Sequence, residues 1–266
     1  MGENRDGYNR EIFMSTIGIQ DVNLRNLINT GAFRFIDETT PWFFYTSGQV
    51  GPYYVQSVAV EQDGEAYACA VDSIVRLIRE KAGAFDVISG GETRDWDFSN
   101  PAAAALRKPH LKMYKDGRRL GAEVRGRRVL HVADLNNEGS SVRDFWRPSI
   151  AAAGGELVGV LSFVDRMEEG FELFQKMRLP SLAVVPLDRH AWDLIHAEGV
   201  ISAALHRRLV ERMRDRRRWA LDALRANPDY FRKFHSAEAT RGKAEKIMNT
   251  YPEAAAKLKE FIAHAH

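Results

Sequence analysis

Cysteine is almost absent from this sequence, because Cys69 is the single one in 266 residues. A lone cysteine makes no disulfide within the chain and has no metal-ligand spacing around it, so we expect Cys69 to be a small core residue. Long apolar runs are missing too. No stretch approaches the ~20 residues of a membrane span, and the first twenty residues lack the apolar core of a secretory signal. These absences predict a cytoplasmic protein.

An excess of charge of either sign is also missing. Lysine and arginine number 38, aspartate and glutamate 36, and the formal net charge is +2. The whole molecule therefore has no field that would demand nucleic acid or an anionic membrane. The composition, 45% hydrophobic and 28% charged, is that of a globular protein. The chain is long enough for one large domain or one domain with an appendage.

Apolar residues change their spacing several times along the chain. Helical spacing begins at 21 and stops at Gly31, a residue type common after helix ends. Strands that alternate with helices predict an α/β fold with a doubly wound, mainly parallel sheet of about five strands. Ligands bind such sheets at the carboxyl ends of the strands. The strand-like segments are 52–60, 85–91, 110–114, 127–135, 156–166 and 181–187, and further helical segments are 66–83, 100–109 and 140–155.

The pattern changes after Leu187, where helix formers continue without any strand signal. Breaks are expected near Pro228 and Pro252, because proline cannot continue a helix. We therefore predict two parts, a domain over 1–187 that includes an N-terminal hood segment and a helical C-terminal extension over 188–266.

The extension is rich in arginine between Arg207 and Arg218. Such a run is compatible with nucleic-acid binding, but Glu211 and Asp215 interleave it and no recognised nucleic-acid module accompanies it. A solvated or subunit-facing helix surface is the favoured interpretation. Nucleic acid is therefore not expected as a partner.

Three stretches of the sequence resemble one known family. They are FFYTSGQVGPYY at 43–54, VLHVADLNNEGSS at 129–141 and SFVDRMEEG at 162–170. In order and separation they resemble the orotate phosphoribosyltransferases, a branch of the type I phosphoribosyltransferases, over about 17–187. The resemblance implies a mainly parallel sheet flanked by helices, a small hood and a homodimer. It also implies transfer of a phosphoribosyl group from phosphoribosyl pyrophosphate to orotate.

The resemblance also implies the residues of the donor site. Backbone N–H groups at a helix N-terminus would surround the 5′-phosphate, and an acid would hold the ribose hydroxyls. Lys112 and Lys115 resemble lysines at the entrance to a mobile catalytic loop and join Asp134 as implied catalytic residues. Mg²⁺ would arrive on the pyrophosphate, with no protein ligand assigned to it. The implied donor-binding residues are Asp134, Asn136, Asn137, Glu138, Gly139, Ser140 and Ser141, with Gly90 and Gly91 in a pyrophosphate-binding turn.

The base site is implied to contain Phe43, Thr46 and Arg166, with Asp165 orienting the arginine toward orotate. Each of these features has an ordinary alternative. An arginine beside an acid is a common structural pair, the tyrosines of the first stretch suit a core, and exposed lysines at a loop are usually solvated. Asp134 alone would suit a turn or helix cap.

Three positions depart from the family pattern. Ala133 occupies the position of a first acid, Thr46 that of a lysine, and Glu138 that of a small or hydroxylated residue. A carboxylate close to a phosphate repels it, so we expect weak donor binding. Two hypotheses follow: an orotate-type phosphoribosyltransferase with altered loops, and a non-catalytic homologue that binds a base or nucleotide or acts as a regulatory subunit.

Overall fold

The computed structural model describes residues 16–263. Its N-terminal part contains short antiparallel strand pairs between two helices, and Gly31, with φ of +70°, follows the first helix as predicted. β1 pairs with β4 and β2 with β3; residues 33–55, which contain these strands, are called the hood below. The elements are α1 (Thr16–Asn29), β1 (Phe33–Phe35), β2 (Phe43–Phe44), β3 (Val50–Gly51), β4 (Tyr53–Val55), a 3-10 turn (Ser57–Gln62) and α2 (Gly64–Lys81).

The predicted strand over 52–60 is correct only in its first half. After Val55 the chain enters the 3-10 turn, in which Ala59 N donates to Gln56 O at 3.1 Å. Ala59 and Val60 are buried there, and a short turn with one buried face gives nearly the same apolar pattern as a strand. The turn also buries Ser57, which becomes part of the site described below.

The central sheet has the strand order β10-β9-β8-β5-β6-β7. All neighbouring strands are parallel except β6 and β7, which are antiparallel. The prediction of about five parallel strands is therefore confirmed, while the short edge strand β7 was not predicted. The elements are β5 (Val87–Gly91), α3 (Asp95–Ala105), β6 (His110–Met113), β7 (Arg119–Gly121), β8 (Arg128–Asn136), a π-helical turn (Val142–Trp146), α4 (Arg147–Ala152), β9 (Glu156–Asp165), α5 (Glu169–Lys176) and β10 (Ser181–Pro186).

Burial on both faces explains why the central strands are parallel. Successive residues of β8 enter different core clusters, Val129 packing with Trp146 and Ile150 on one face and Leu130 with α1, α2 and α3 on the other. Strands buried on two faces read as continuous apolar runs. Because β5, β8 and β9 are parallel, Gly91, Asn136 and Asp165 end at the same edge of the sheet.

The C-terminal part is entirely helical over its described residues, as predicted, and Pro228 and Pro252 each begin a helix. Further breaks fall at Ser202 and Asp215, whose side chains cap the next helix by accepting from backbone N–H groups. No helix within residues 16–263 combines the length and apolar character needed to cross a bilayer. The helices are α6 (Arg189–Ala197), α7 (Ala203–Arg214), α8 (Arg216–Ala226), α9 (Pro228–Ser236), α10 (Glu238–Thr250) and α11 (Pro252–Ala263).

Two apolar cores divide the C-terminal helices. Trp192 of α6 and Leu209 of α7 join the core of the main sheet, whereas α8 to α11 form a second core with Trp42 and Val50 of the hood. Trp42 is fully buried, with the rings of Tyr230 and Phe234 at 4.7 and 5.0 Å. The hood is therefore held by the C-terminal helices, and the division of the chain at 187 stays a prediction.

Cys69 lies on α2 and is half-buried, outside the core clusters. It faces Ser73 and Asn26, and burial raises the pKa of its thiol. The expectation that it is a core residue is therefore wrong. The apolar run around it is one face of α2, and Cys69 falls at the margin of that face.

Candidate functional site

A cavity of about 510 Å³ opens at the carboxyl ends of β5 and β8, where the fold predicts a ligand site. It brings together segments that are distant in sequence: the hood, the turn after β5, the end of β8 and the end of β9. Of the residues implied by the sequence, those that line the cavity are Thr46, Lys115, Asp134, Asn136, Asn137, Glu138, Gly139, Ser140, Ser141 and Arg166, and those that do not are Phe43, Gly90, Gly91 and Lys112.

The loop 137–141, between β8 and the following helical turn, lines the cavity and is the segment that the sequence implies to bind the donor phosphate; it is called the anion-binding loop below. Gly139 has φ of +66°, a backbone conformation that favours glycine, and the helical turn that begins at Val142 follows it at the cavity. The loop is supported from below by Gly170, whose N donates to Asn137 O at 2.9 Å. A Cβ on Gly170 would lie 2.3 Å from Asn136 Oδ1 and 2.8 Å from Gly139 N, so only glycine fits there.

Glu138 lies in this loop, half-buried, and lines the cavity. The pKa of Arg143 is raised mainly by its hydrogen-bonded pair with Asp144 and to a smaller extent by Glu138. Arg143 already donates to both oxygens of Asp144, at 2.6 and 2.8 Å. Arg143 is therefore engaged by Asp144, and Glu138 contributes a carboxylate to the cavity lining.

Asp134 occupies the end of β8, and a second carboxylate stands beside it. Its Oδ2 accepts from Ser57 Oγ at 2.7 Å, and its backbone N donates to Asp95 Oδ1 at 3.0 Å. Asp95 comes from the first turn of α3, and its Oδ2 accepts from Gly91 N at 2.9 Å. Burial, together with the negative charge of Asp95, raises the pKa of Asp134 to about 7.

His131 fills an unusual place in β8, with its side chain wholly buried. Its Nδ1 lies 3.1 Å from Ser89 Oγ and its Nε2 lies 3.3 Å from Asp95 Oδ2. The ring therefore lies beside the Asp95 carboxylate, and His131 also lines the cavity. Sequence reasoning singled out neither Asp95 nor His131 as a site residue, because their contact depends on α3 docking between β5 and β8.

Arg166 lies at the end of β9 and is 6% exposed. Its guanidinium carbon lies 3.9 Å from the ring centre of Tyr45 and 4.7 Å from that of Tyr53, and its Nε donates to the Tyr53 hydroxyl at 3.1 Å. The expectation that Asp165 orients it is wrong. Asp165 instead accepts from Asn136 Nδ2 at 2.8 Å and Met167 N at 2.7 Å.

Glu168 is the acid that pairs with Arg166, through Nη2 at 3.2 Å. The second partner of Glu168 is Arg212, a residue of α7. Arg212 is 4% exposed and donates from both terminal nitrogens to the Glu168 carboxylate. Burial raises the pKa of Glu168, but the two guanidinium groups outweigh burial and lower this pKa to about 2. The buried cluster thus holds two cations and one anion, and it leaves one positive charge at the cavity wall. The arginine run was expected to form a solvated or subunit-facing surface, but Arg212 is buried within its own chain.

The hood and the C-terminal helices meet beside the cavity. Thr46 is exposed there, and its carbonyl accepts from Lys246 Nζ of α10. Lys243 Nζ of the same helix lies 5.9 Å from the ring centre of Phe44. Although the hood has threonine where the resemblance implies a lysine, α10 places the cations Lys243 and Lys246 next to that turn.

The basic segment after β6 forms a short hairpin. Tyr114 N donates to Arg118 O at 3.0 Å, and Gly117 has φ of +89° between them. Lys115 is held at the cavity rim because its N donates to Glu92 Oε1 at 2.8 Å. Lys112 lies away from the cavity lining, 5.2 Å above the Trp96 ring.

The remaining implied residues serve packing in this structure. A Cβ on Gly90 would lie 2.1 Å from Ser99 Oγ, and one on Gly91 would lie 2.3 Å from the Trp146 ring. Phe43 is half-buried in β2, with Arg34 over its ring at 5.6 Å. These contacts place α3 and Trp146 close to the cavity floor.

The chain is similar in sequence to known phosphoribosyltransferases. Over 164 residues it is 31% identical to an orotate phosphoribosyltransferase of Sulfolobus acidocaldarius, and the match covers 59% of this chain and 82% of that protein. The chain belongs to the orotate phosphoribosyltransferase family. A second orotate phosphoribosyltransferase, of Pyrobaculum aerophilum, is 29% identical over 160 residues, 58% of this chain and 79% of that one.

Adenine phosphoribosyltransferases also match the chain. The one from Acetivibrio thermocellus is 28% identical over 136 residues, 43% of this chain and 78% of that protein. No protein-family model matches the chain. Membership of the orotate phosphoribosyltransferase family thus supports phosphoribosyl transfer, while the matches include enzymes named for two different bases.

Solved structures confirm the type I phosphoribosyltransferase fold. The orotate phosphoribosyltransferase from Aeropyrum pernix has a TM-score of 0.56 at 20% identity, covering 66% of this chain and 99% of that one. A UMP synthase of Leishmania donovani has a TM-score of 0.63 at 18% identity, covering 72% of this chain and 41% of that one. The predicted fold class, a mainly parallel sheet flanked by helices with a helical C-terminus, is therefore correct.

Proposed function

We propose that the protein transfers a phosphoribosyl group from phosphoribosyl pyrophosphate to orotate. N1 of the base would form the new bond to C1′ while the bond from C1′ to the pyrophosphate oxygen breaks, and pyrophosphate would leave. The observation that carries the proposal is a single cavity in which the anion-binding loop 137–141 and Arg166 face the same space. A donor phosphate and an anionic base have complementary groups in that cavity.

The base end of the cavity favours orotate over an uncharged base. Arg166 is buried against Tyr45 and Tyr53, its Nε donates to the Tyr53 hydroxyl, and its Nη2 donates to Glu168. A guanidinium in a desolvated site binds a carboxylate strongly. Because orotate has a carboxylate and adenine does not, this arginine supports a pyrimidine acid as the substrate.

The donor end supplies positioning more than chemistry. The loop N–H groups would bind the 5′-phosphate, Asp134 would accept from a ribose hydroxyl, and the cations Arg94 and Lys115 at the rim would face the pyrophosphate. Fixed groups of this kind stabilise the charge that develops as the bond to pyrophosphate breaks. Lys115 is the better placed of the two predicted lysines, since Lys112 does not line the cavity.

Magnesium fits this cavity as a companion of the donor. Among residues 16–263 no three acids, histidines or cysteines come together as a complete metal site. Mg²⁺ usually binds through one or two carboxylates plus substrate phosphates, and Asp95 and Asp134 supply two carboxylates at the donor end. When bound, the ion would neutralise charge on the leaving pyrophosphate.

One observation favours a second candidate, a non-catalytic member of the family that binds a base or nucleotide. The carboxylates that line the cavity, those of Glu92, Asp95, Asp134 and Glu138, outnumber its lysine and arginine side chains. Such a balance opposes a highly anionic donor. This candidate predicts base binding without turnover.

A homodimer is also proposed. Leu120 on the edge strand β7 is 56% exposed and Phe145 of the π-helical turn is 39% exposed, and large exposed apolar side chains suit a subunit interface. Sedimentation equilibrium at micromolar concentration should give twice the chain mass of 30.1 kDa. A single-chain mass would contradict the dimer.

The function is tested by following orotate absorbance with phosphoribosyl pyrophosphate and Mg²⁺. We expect orotate consumption with equal release of pyrophosphate, and no consumption of adenine or uracil. Arg166→Gln should abolish orotate consumption. If orotate is bound but not consumed, the non-catalytic candidate is correct; adenine consumption would contradict the base assignment.

A further inference from the structure

A pair of carboxylates lies between the anion-binding loop and the turn after β5. Asp95 and Asp134 come from different elements, α3 and β8, and the Asp95 carboxylate binds the backbone N of Asp134 at 3.0 Å. Both side chains line the cavity.

The hydrogen bonds around the pair leave acceptor positions unused. A carboxylate has about four acceptor positions. Asp95 uses one for Asp134 N and one for Gly91 N, with His131 Nε2 beside the second oxygen at 3.3 Å. Asp134 uses one for Ser57 Oγ. Each acid therefore retains capacity for a ligand hydroxyl.

The surroundings of the pair define the ligand chemistry. One neighbour is the anion-binding loop, which suits a phosphate, and the acids themselves suit hydroxyl donors that lie side by side. We propose that Asp95 and Asp134 together bind the vicinal hydroxyls of a pentose 5-phosphate, with Asp95 replacing the carboxylate that Ala133 lacks. This inference rests on the proposed function, which names phosphoribosyl pyrophosphate as the donor. It concerns only how the sugar of that donor is bound.

His131 and Gly91 explain how Asp95 is held for this role. The carboxylate accepts from two backbone N–H groups of adjacent strands, and the buried imidazole lies 3.3 Å from its Oδ2. A side chain held on three sides is oriented before the ligand arrives, which lowers the entropic cost of binding.

Isothermal titration with ribose 5-phosphate tests the inference without pyrophosphate, and EDTA removes metal ions. The comparison ligands are 2-deoxyribose 5-phosphate and 3-deoxyribose 5-phosphate, which lack one hydroxyl each. The wild type should bind ribose 5-phosphate at least tenfold more tightly than either. Asp95→Asn should lose the preference over one of the deoxy sugars.

Asp97→Asn is the matched control, because Asp97 lies in the same first turn of α3 but faces Glu61 and does not line the cavity. It should keep both preferences. Thermal unfolding reports whether each variant folds, and Asp95→Ser, whose hydroxyl still accepts a backbone N–H, replaces Asp95→Asn if the latter unfolds. Unchanged preferences in a folded Asp95 variant, or no preference in the wild type, would overturn the inference.

The orotate assay separates this result from the proposed function. Sugar discrimination that depends on Asp95, without orotate consumption, would leave the inference standing and remove the transferase. Orotate consumption, together with sugar discrimination that does not depend on Asp95, would support the transferase and overturn the inference about Asp95.

Discussion

Glu138 is the side chain most opposed to an anionic ligand in the cavity. Two like charges 4 Å apart repel by about 4 kcal/mol at an effective dielectric constant near 20. Glu138→Thr removes this repulsion and adds a hydroxyl donor, so it should tighten phosphoribosyl pyrophosphate binding at least tenfold in a titration with Mg²⁺. Ala133→Asp should add little, because Asp95 already supplies a second carboxylate. Tight donor binding by the wild type, unchanged in Glu138→Thr, would show that Glu138 faces solvent.

Asp134 should make stability depend on pH. Burial raises its pKa to about 7, so between about pH 4 and 7 the folded chain keeps a proton that an unfolded aspartic acid releases. Stability from this group is full below about pH 4 and is lost as the pH rises through 7. Asp134→Asn should therefore raise the free energy of unfolding at pH 8, by roughly 2–4 kcal/mol, and much less at pH 4.

Urea unfolding of both proteins at the two pH values measures that difference. The asparagine keeps an acceptor for Ser57 Oγ and the backbone N that Asp95 binds, so the variant changes charge with little change in contacts. A stability difference that is the same at pH 4 and pH 8 would show that Asp134 has an ordinary pKa in the folded chain.

Single residues differ in how well the sequence predicted them. The loop 136–141 and Arg166 could be placed because each stretch is continuous and follows a recognisable strand. Asp95 and Arg212 could not, because their partners lie 39 and 44 positions away. The burial of Arg212 has a faint local signal, since it lies three residues after the buried Leu209 and therefore on the same helix face.

At the scale of elements, the contact between α5 and the anion-binding loop deserves a direct test. Gly170→Ala should displace the loop, because the new Cβ would overlap Asn136 Oδ1 and Gly139 N. We expect inorganic phosphate binding to weaken at least tenfold in a titration. Gly242→Ala is the control: a Cβ there meets nothing within 4 Å, and alanine in a helix should stabilise the fold by about 1 kcal/mol. Equal phosphate affinity in both variants would show that the contact of Gly170 with the loop does not support phosphate binding.

The elements themselves were mostly predictable from apolar spacing. β8 and β9 are long continuous runs between turn residues, and their buried positions match that pattern. The 3-10 turn and the edge strand β7 were not predictable. The first mimics a strand over a few residues, and β7 consists of three exposed residues, which give no apolar pattern to find.

At the scale of the whole molecule, the C-terminal helices hold the base site together through Arg212. Arg212→Met leaves Glu168 with one cationic partner and should lower the free energy of unfolding by about 3–5 kcal/mol, the usual cost of breaking a buried pair. Because Arg166 then loses part of its support, KM for orotate should rise while KM for the donor stays within twofold. Steady-state kinetics with each substrate varied measures both.

Arg207→Met is the matched control, since Arg207 lies on the same helix but is exposed. It should change neither stability nor KM. If Arg212→Met folds and leaves KM for orotate unchanged, the C-terminal helices do not support the base site.

The second core, in which α8 to α11 pack on Trp42, could not be predicted from the sequence. It joins segments more than a hundred residues apart that have no shared pattern.

The central claim is that one cavity binds a phosphoribosyl donor at the loop 137–141 and an anionic base at Arg166. Isothermal titration of the wild type with phosphoribosyl pyrophosphate and Mg²⁺, followed by orotate, tests it most directly, with Arg166→Gln measured in parallel. The account predicts weak donor binding in both proteins, and orotate binding in the wild type that falls at least a hundredfold in the variant. Orotate binding of equal strength in both proteins, or no heat from either ligand, would contradict it.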